Sequence, residues 1–526
     1  MTATTQRPVG AAPGSLALDP HRVAGLLGHA VAGGSPFEVV TPMTGEVVAT
    51  LAASTTTDVQ DAYATARAAQ PAWASTAIAE RAAILWDYHD RVLSGQSQLL
   101  DVVQLESGKA RVQAFEEVAD VAIVARHYAR TAARSLRPRR RAGLYPILSQ
   151  SVEARVPKGV VGIVSPWNYP LSLSITDTLP ALMAGNAVVL RPDPQGSLTA
   201  LLAVELLRAA GLPREVLQVV LGDGVVGAAV VERADYVCFT GSTATGRRVA
   251  QEAGARLVGA SLELGGKNAL YVAADADLSR TVPGAIRSCF SAAGQLCIST
   301  ERVLVHESVY DAFVPRFVAA ARELRMGTGL RYGYDLGSLV SAAQLERVTA
   351  HVEDARAKGA AVLAGGRARP DIGPFAYEAT ILDGVSAQML CRDEETFGPV
   401  VALYRVASDA AAIALANDTA YGLNASIWTR DIARGRAIAS QIRTGTVNIN
   451  EGYAAAWGSV AAPMGGMKAS GIGRRHGVEG IVRFTESQNV TAQRGLPVAP
   501  ALGLSDERFA TVLTGALRVL KAVGRS

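Results

Sequence analysis

The stretch "DYVCFTGSTATGRRVA", Asp235 to Ala250, decides the fold. It opens as a short apolar run, bends at Gly241 and continues with helical periodicity from Thr243. Gly241 permits a tight turn, and Ser242 or Thr243 can cap the helix that follows. Amides left free at such a helix start, with the helix dipole behind them, suit a phosphate or pyrophosphate. Gly241 and Gly246 have the spacing of the second and last glycines in some dinucleotide turns, although a full GxGxxG is not present. On its own the turn is equally a structural bend, and its surroundings decide between the two.

From Val160 onward, short apolar runs alternate with helical stretches. "VVGIVSP" predicts a strand, Leu171 to Ala184 a helix despite Pro180, and "AVVLRP" a strand. Leu198 to Ala210 predicts a helix, and "LQVVL" and "DYVCF" two further strands. Runs apolar at every position mark strands buried on both faces, the pattern of a parallel sheet with crossover helices. This is the doubly wound α/β architecture, in which ligands sit at the carboxyl ends of strands. A second alternating region, Leu262 to Ile442, is long enough for its own α/β domain. Ahead of both, "FEVVTPMTGEVVATL" (Phe37 to Leu51) predicts a hairpin, and helical periodicity runs from Asp58 to Arg134.

The ends read differently. "MTATTQRPVGAAPGS" lacks the apolar core of a signal peptide and predicts a disordered lead over 1–18. Ser505 to Arg525 places Phe509, Val512, Leu513, Ala516, Leu520 and Val523 on one helical face. Its sparse, mixed charge favours docking onto protein or a partner subunit over a membrane. The chain has 526 residues, 49% hydrophobic and 19% charged, with a net charge of +4. That fits two large domains plus a smaller element and argues against disorder. The basic run "RPRRR" (Arg137 to Arg141) has no interleaved aromatics, so it predicts a solvated segment and no nucleic-acid partner. No apolar run is long enough for stable membrane insertion. Four cysteines without CxxC spacing and seven histidines without HExxH predict neither a disulfide framework nor a metal, in a reducing cytoplasm.

Three segments carry candidate chemistry. "SPWNYP" (Ser165 to Pro170) leaves a strand on the ligand-facing edge of the sheet. Asn168 there is either a turn residue or an oxyanion donor. "LELGGKN" (Leu262 to Asn268) sets Glu263 among apolar residues. Burial raises a carboxyl pKa, which suits a general base, although a structural Glu reads the same way. "SAAGQLCIST" (Ser291 to Thr300) holds Cys297 among small neighbours. A lone Cys is usually an inert core residue. Room for a substrate, a candidate base 34 residues upstream and a preceding dinucleotide-type sheet make this one a nucleophile.

In order, "SPWNYP", "FTGSTATG", "LELGGKN", "GQLC", "EETFGPV" and "PMGGMKASGIGR" resemble the signature of the aldehyde dehydrogenase superfamily. The resemblance runs from about Phe37 to Gln493 and is nearest to actinobacterial succinate-semialdehyde dehydrogenases of the NADP+ type. It implies a doubly wound cofactor domain over 19–128 and 156–261, and an α/β catalytic domain over 262–442. It also implies a small β oligomerisation element over 129–155 and 483–493, and hence a homodimer or homotetramer. Residues 494–526 form an extension with a helix outside the family pattern. Cys297 would attack the aldehyde carbon, with the oxyanion held by the Asn168 side chain and the Cys297 amide. The thiohemiacetal would give up hydride, and Glu263 would activate the water that hydrolyses the thioester. Trp167, Asn168, Gly241, Ser242, Leu264, Glu395 and Phe397 would contact the cofactor, with Arg191, Pro192, Asp193 and Pro194 on its adenosine side.

This chain departs from the family at several points. Arg191 and Pro194 stand where a Lys and a Glu or small residue are usual. That favours NADP+, with NAD+ still possible and Asp193 as the counter-argument. The two arginines that well-known succinate-semialdehyde enzymes use are Thr176 and Ser291 here, so an anionic substrate needs a differently placed cation. The insertion "GYAAAWGSVAA" (Gly452 to Ala462) brings Tyr453 and Trp457 toward the pocket mouth, and an apolar or aromatic aldehyde fits at least as well. Arg475 replaces the Glu usual after "GR". A coenzyme A-acylating enzyme is a further alternative, against which Glu263 argues.

Overall fold

In the computed structural model of the protein, residues 16–143, 148–495, 497–522 and 524 are described. The central strands assemble as their apolar runs dictate. One six-stranded sheet has the order Gly471–Ile472, Gly259–Glu263, Tyr236–Thr240, Val160–Ser165, Ala187–Pro192, Leu217–Val219. All neighbours are parallel except Gly471–Ile472, which returns antiparallel to Gly259–Glu263. Val160–Ser165 and Ala187–Pro192 are buried at every position, because helices cover both faces of the sheet.

A second, seven-stranded sheet runs Ala361–Ala364, Thr380–Asp383, Val400–Val406, Thr300–His306, Asn268–Val272, Asn424–Trp428, Thr446–Ile449. Only the first of these is antiparallel to its neighbour. Strand Gly259–Glu263 lies wholly in the first sheet and so runs across the boundary expected at 261/262. Thr446–Ile449 completes the second sheet beyond the boundary expected at 442. Only four residues separate Glu263 from Asn268, so the carboxyl end of one sheet abuts the amino end of the other.

Thr485–Gln493, Ser149–Pro157 and Arg139–Arg141 form a separate antiparallel sheet. Residues 129–136, expected within this element, instead continue the helix Arg111–Leu136. Residues 144–147 lie outside the described residues. The hairpin pairs Pro36–Val40 with Val47–Ala52, and four helices, Thr56–Ser75, Ile78–Ser94, Gln96–Ser107 and Arg111–Leu136, fill the predicted helical region.

Three expectations change. The single helix expected over Leu171 to Ala184 is two, Pro170–Ile175 and Thr178–Met183. Pro180 is tolerated in a first turn, where no amide bond is needed, and not in a continuous helix. The break leaves Thr176 and Asp177 between the two helices. Of the lead at 1–18, residues 1–15 lie outside the described residues, whereas Leu18 is buried and its amide donates to the Val48 carbonyl at 2.9 Å. In the C-terminal helix Asp506–Ala522 no residue is fully buried, Phe509, Leu513 and Leu520 are half-buried and Val512 is exposed, so the apolar face is only partly covered; Val523 lies outside the described residues. No described helix is long and apolar enough to cross a membrane.

Candidate active site

Val160–Ser165 and Tyr236–Thr240 are sheet neighbours although two strands separate them in sequence. At this switch point the chain leaves their carboxyl ends in different directions, which opens a crevice. Pro166 to Asn168 and Gly241 to Ala244 form its two lips, and the cleft measures about 1030 Å³. Trp167, Asn168, Gly241 and Ser242 line it from the first sheet, and Leu264, Glu395 and Phe397 from the second side. Gln344, Arg347 and Tyr421 line it too and were not foreseen.

The cleft fits a dinucleotide. Ser242 caps the 13-residue helix Thr243–Ala255 by accepting the Thr245 amide, and the first helical amides, on Thr243 and Ala244, make no hydrogen bond to any described residue. A Cβ on Gly246 would come 2.4 Å from a Leu264 methyl, so the glycine lets helix and strand approach closely. Trp167 and Phe397 meet edge to face, 5.6 Å between centres.

Arg191, Pro192, Asp193 and Pro194 end the next strand and line neither this cleft nor the cavity below. Arg191 is buried, donates from Nε to the Gly222 carbonyl at 2.9 Å and lies 3.9 Å from the Asp193 carboxylate. An arginine held this way is less free to reach a 2′-phosphate than its position in the sequence suggests.

A second cavity opens on the other side of Cys297. Asn168, Thr240, Glu263 and Cys297 line both spaces. Helix Leu278–Phe290 delivers the chain to Cys297 through Ala292, Ala293 and Gly294, with φ of 51°, 55° and 70°. Left-handed backbone is costly for alanine and persists only when packing enforces it. Here the loop is pinned on several sides. A Cβ on Gly294 would stand 2.0 Å from the Gly398 carbonyl. Gln295 Oε1 accepts the Val340 amide at 2.9 Å, and Asn268 Nδ2 donates to the Cys297 and Ser299 carbonyls at 2.8 and 2.7 Å.

Asn168 Nδ2 donates to the Gln295 carbonyl at 3.0 Å, which uses one of the two amide hydrogens and leaves the second. A buried ion pair that sequence reading missed holds this residue. Lys109 Nζ donates to Glu117 and to the Asn168 carbonyl, each at 2.6 Å, and stands 3.6 Å from the centre of the Tyr169 ring. The other Glu117 oxygen accepts the Leu171 and Ser172 amides at 2.8 and 3.0 Å. Across the cleft, Glu301 accepts the Thr396 and Phe397 amides at 3.0 and 2.9 Å and pairs with Lys267. It thereby fixes Phe397 at φ 57°.

Glu263 ends its strand 6% exposed, and its Oε1 has no hydrogen-bond partner in the chain. Burial pushes its carboxyl up to about 7, against the pull of Arg475 and Arg483. The half-buried Cys297 thiol is pushed up to about 12, first by desolvation and then by the carboxylates of Glu395 and Glu263. The sulfur therefore rests as a thiol, and a base must take its proton before it can attack. Glu395 Oε1 accepts the Gly266 amide at 2.7 Å. Among the described residues, no group of three or more His, Cys, Asp or Glu could hold a metal ion.

The model of the aldehyde dehydrogenase family matches residues 30–490. A Mycolicibacterium smegmatis protein provisionally named succinate-semialdehyde dehydrogenase, NADP(+), is 52% identical over 93% of this chain and 95% of its own length. The mitochondrial succinate-semialdehyde dehydrogenase of Arabidopsis thaliana is 36% identical over 86% and 85%. Among solved structures, PnpE from Pseudomonas, in complex with nicotinamide adenine dinucleotide, is similar with a TM-score of 0.85. It is 34% identical, over 89% of this chain and 96% of that one.

Proposed function

The chain belongs to the aldehyde dehydrogenase family, and from that premise we propose that it oxidises a short semialdehyde, with succinic semialdehyde the candidate, to the acid. The single observation that carries this reading is the junction itself, where Asn168, Glu263 and Cys297 line both the nucleotide cleft and the inner cavity. A bound nicotinamide cofactor supplies the hydride acceptor there. Glu263, half-ionised near pH 7, takes the Cys297 proton, directly or through a water. The sulfur adds to the aldehyde carbon, and the oxyanion meets the free Asn168 N–H and the Cys297 amide. As the alkoxide collapses, the carbon loses hydride and a thioester remains on Cys297. Once Glu263 has passed that first proton to solvent, it takes another from the water that attacks the thioester and hands it to the departing sulfur, so the acid leaves with the thiol restored.

The names of the relatives support both the semialdehyde and NADP+, with NAD+ the alternative. A second reading, an apolar or aromatic aldehyde, is favoured by the cavity wall of Tyr169, Leu173, Tyr453, Trp457 and Met464. Initial rates of reduced-cofactor formation with an aldehyde panel, with NADP+ or NAD+ and with or without coenzyme A, test all of these. A wild-type enzyme that leaves succinic semialdehyde untouched while oxidising hexanal or benzaldehyde removes the first substrate reading. A homodimer or homotetramer belongs to the same proposal. Strand Thr485–Gln493 is exposed along all but its first residue and sits at a sheet edge, a form that invites pairing with another chain.

A further inference from the structure

We propose that Arg475 is the specificity-determining residue of the inner cavity, its free Nη1 taking the carboxylate at the far end of a dicarboxylic semialdehyde. The inference rests on the semialdehyde reading above and names the group that would recognise it.

Arg475 lines the same cavity as Cys297 and Glu263, and its charge is near enough to draw both of their pKa values down. Its neighbour His476 also lines the wall, but burial lowers that imidazole to about 3, so it carries no charge. Arg475 is thus the one cation among the lining residues. Its Nε donates to Asp177 Oδ1 at 3.0 Å and its Nη2 to the Thr176 hydroxyl. Both partners sit in the break between helices Pro170–Ile175 and Thr178–Met183. Its amide and carbonyl pair with Met464 at 2.6 and 2.8 Å, which fixes the backbone. Nη1 donates to nothing among the described residues.

Charge balance points the same way. Asp177 Oδ1 also accepts Arg483 Nη2, at 2.5 Å. Two guanidiniums therefore share one fully buried carboxylate, and a buried cation without its own counter-ion is costly. Two further carboxyls face Arg475, Glu263 from the end of its strand and Asp120 from helix Arg111–Leu136. Glu263 is occupied by the chemistry. Among the described residues Asp120 Oδ1 is buried and has no partner, and the Tyr169 hydroxyl beside the cavity is likewise unpartnered, whereas the Ser172 hydroxyl is near enough to Asp120 to pull its carboxyl down. Buried polar atoms are rarely left so, and four of them line this one cavity, the others being Glu263 Oε1 and His476 Nδ1. A carboxylate bound on Nη1 takes the place of Asp120 as counter-charge and can accept from the Tyr169 hydroxyl. Asp120 is its competitor for the guanidinium, and burial pushes that carboxyl up to about 6, so it can protonate when a second carboxylate arrives.

The test compares succinic semialdehyde with butanal, which has the same carbon count and no charge, on the full-length enzyme. Arg475→Gln is expected to raise KM for the semialdehyde about 30-fold relative to butanal, the scale of one charge-assisted hydrogen bond. Arg475→Lys is expected to recover part of that loss. Asp120→Asn, which removes the competitor and leaves the Asp177 pair intact, is expected to lower the semialdehyde KM about threefold and serves if Arg475→Gln does not fold. Equal losses on both aldehydes would assign Arg475 to tuning Glu263 and overturn the proposal, as would an unchanged or raised semialdehyde KM in Asp120→Asn. If the wild-type enzyme does not oxidise the semialdehyde at all, the substrate reading itself falls; a turned-over semialdehyde with no change in the ratio sinks only the role of Arg475.

Discussion

The two spaces that meet at Cys297 are built from different materials. The nucleotide cleft is made largely of backbone, with a glycine turn, the first amides of a 13-residue helix and the carboxyl ends of two strands. The inner cavity is made of side chains from distant parts of the chain, with Asp120, Ser172, Tyr453 and Arg475 among them. Backbone recognition needs only the fold, so it tolerates many sequences. Side-chain recognition is particular to this chain, and there the substrate must be sought.

Substitutions at the junction should show the largest effects. Cys297→Ala is expected to abolish turnover while leaving NADP+ affinity, measured by fluorescence titration, within about twofold, because the cleft amides are untouched. Retained turnover would mean that the sulfur is not the meeting point of the two spaces. Glu263→Gln should lower steady-state turnover about 10²- to 10⁴-fold and slow the pre-steady-state release of reduced cofactor as well, because the same carboxylate takes the Cys297 proton. Because the folded-state carboxyl is raised to about 7, the base is present above that pH and lost below it. The wild-type kcat should therefore rise through pH 7 to a plateau, and a flat profile from pH 5.5 to 8.5 would remove Glu263 from the rate.

A smaller effect tests the backbone that carries the sulfur. Gly294→Ala forces a side chain into a left-handed residue 2.0 Å from a carbonyl. It should cost about 3 kcal/mol of stability, read by chemical denaturation, and lower kcat by displacing Cys297. The smallest effect belongs to the C-terminal helix. Ending the chain at 504 removes no side chain that is buried among the described residues and should leave the aldehyde KM within about twofold, since that helix lines neither space. A large loss of activity would mean that the helix completes a site in a partner subunit.

This division also governs what the sequence reveals. Asp235 to Ala250 is legible because strand, turn and helix are local patterns, and the structure forms them within a residue or two. The placement of Glu263 and Asn168 at one junction follows from their sitting at strand ends, whereas Cys297 reaches it on the loop between helix Leu278–Phe290 and strand Thr300–His306. Arg475 and Asp177 were not legible as a pair, since 298 positions separate them and only the folded chain brings them together. Lys109 is similar. In "LESGK" it looks like an ordinary surface lysine, and nothing local shows that its ammonium is buried against Asn168. Ala292 and Ala293 mislead in the opposite direction, because alanine favours a right-handed helix and tertiary packing overrides it. Arg191 was legible as a residue but not as a conformer, with its Nε bound to Gly222.

The shorter of the two crossings between the sheets runs from Glu263 to Asn268 and contains Gly265 and Gly266, a natural pivot. Glu395 latches it by accepting the Gly266 amide, and its carboxylate would meet any Cβ on Gly265. A side chain at Gly265 would have to push that carboxylate off the cleft wall, so this crossing ties the catalytic base at its start to the lining of the nucleotide cleft at its middle.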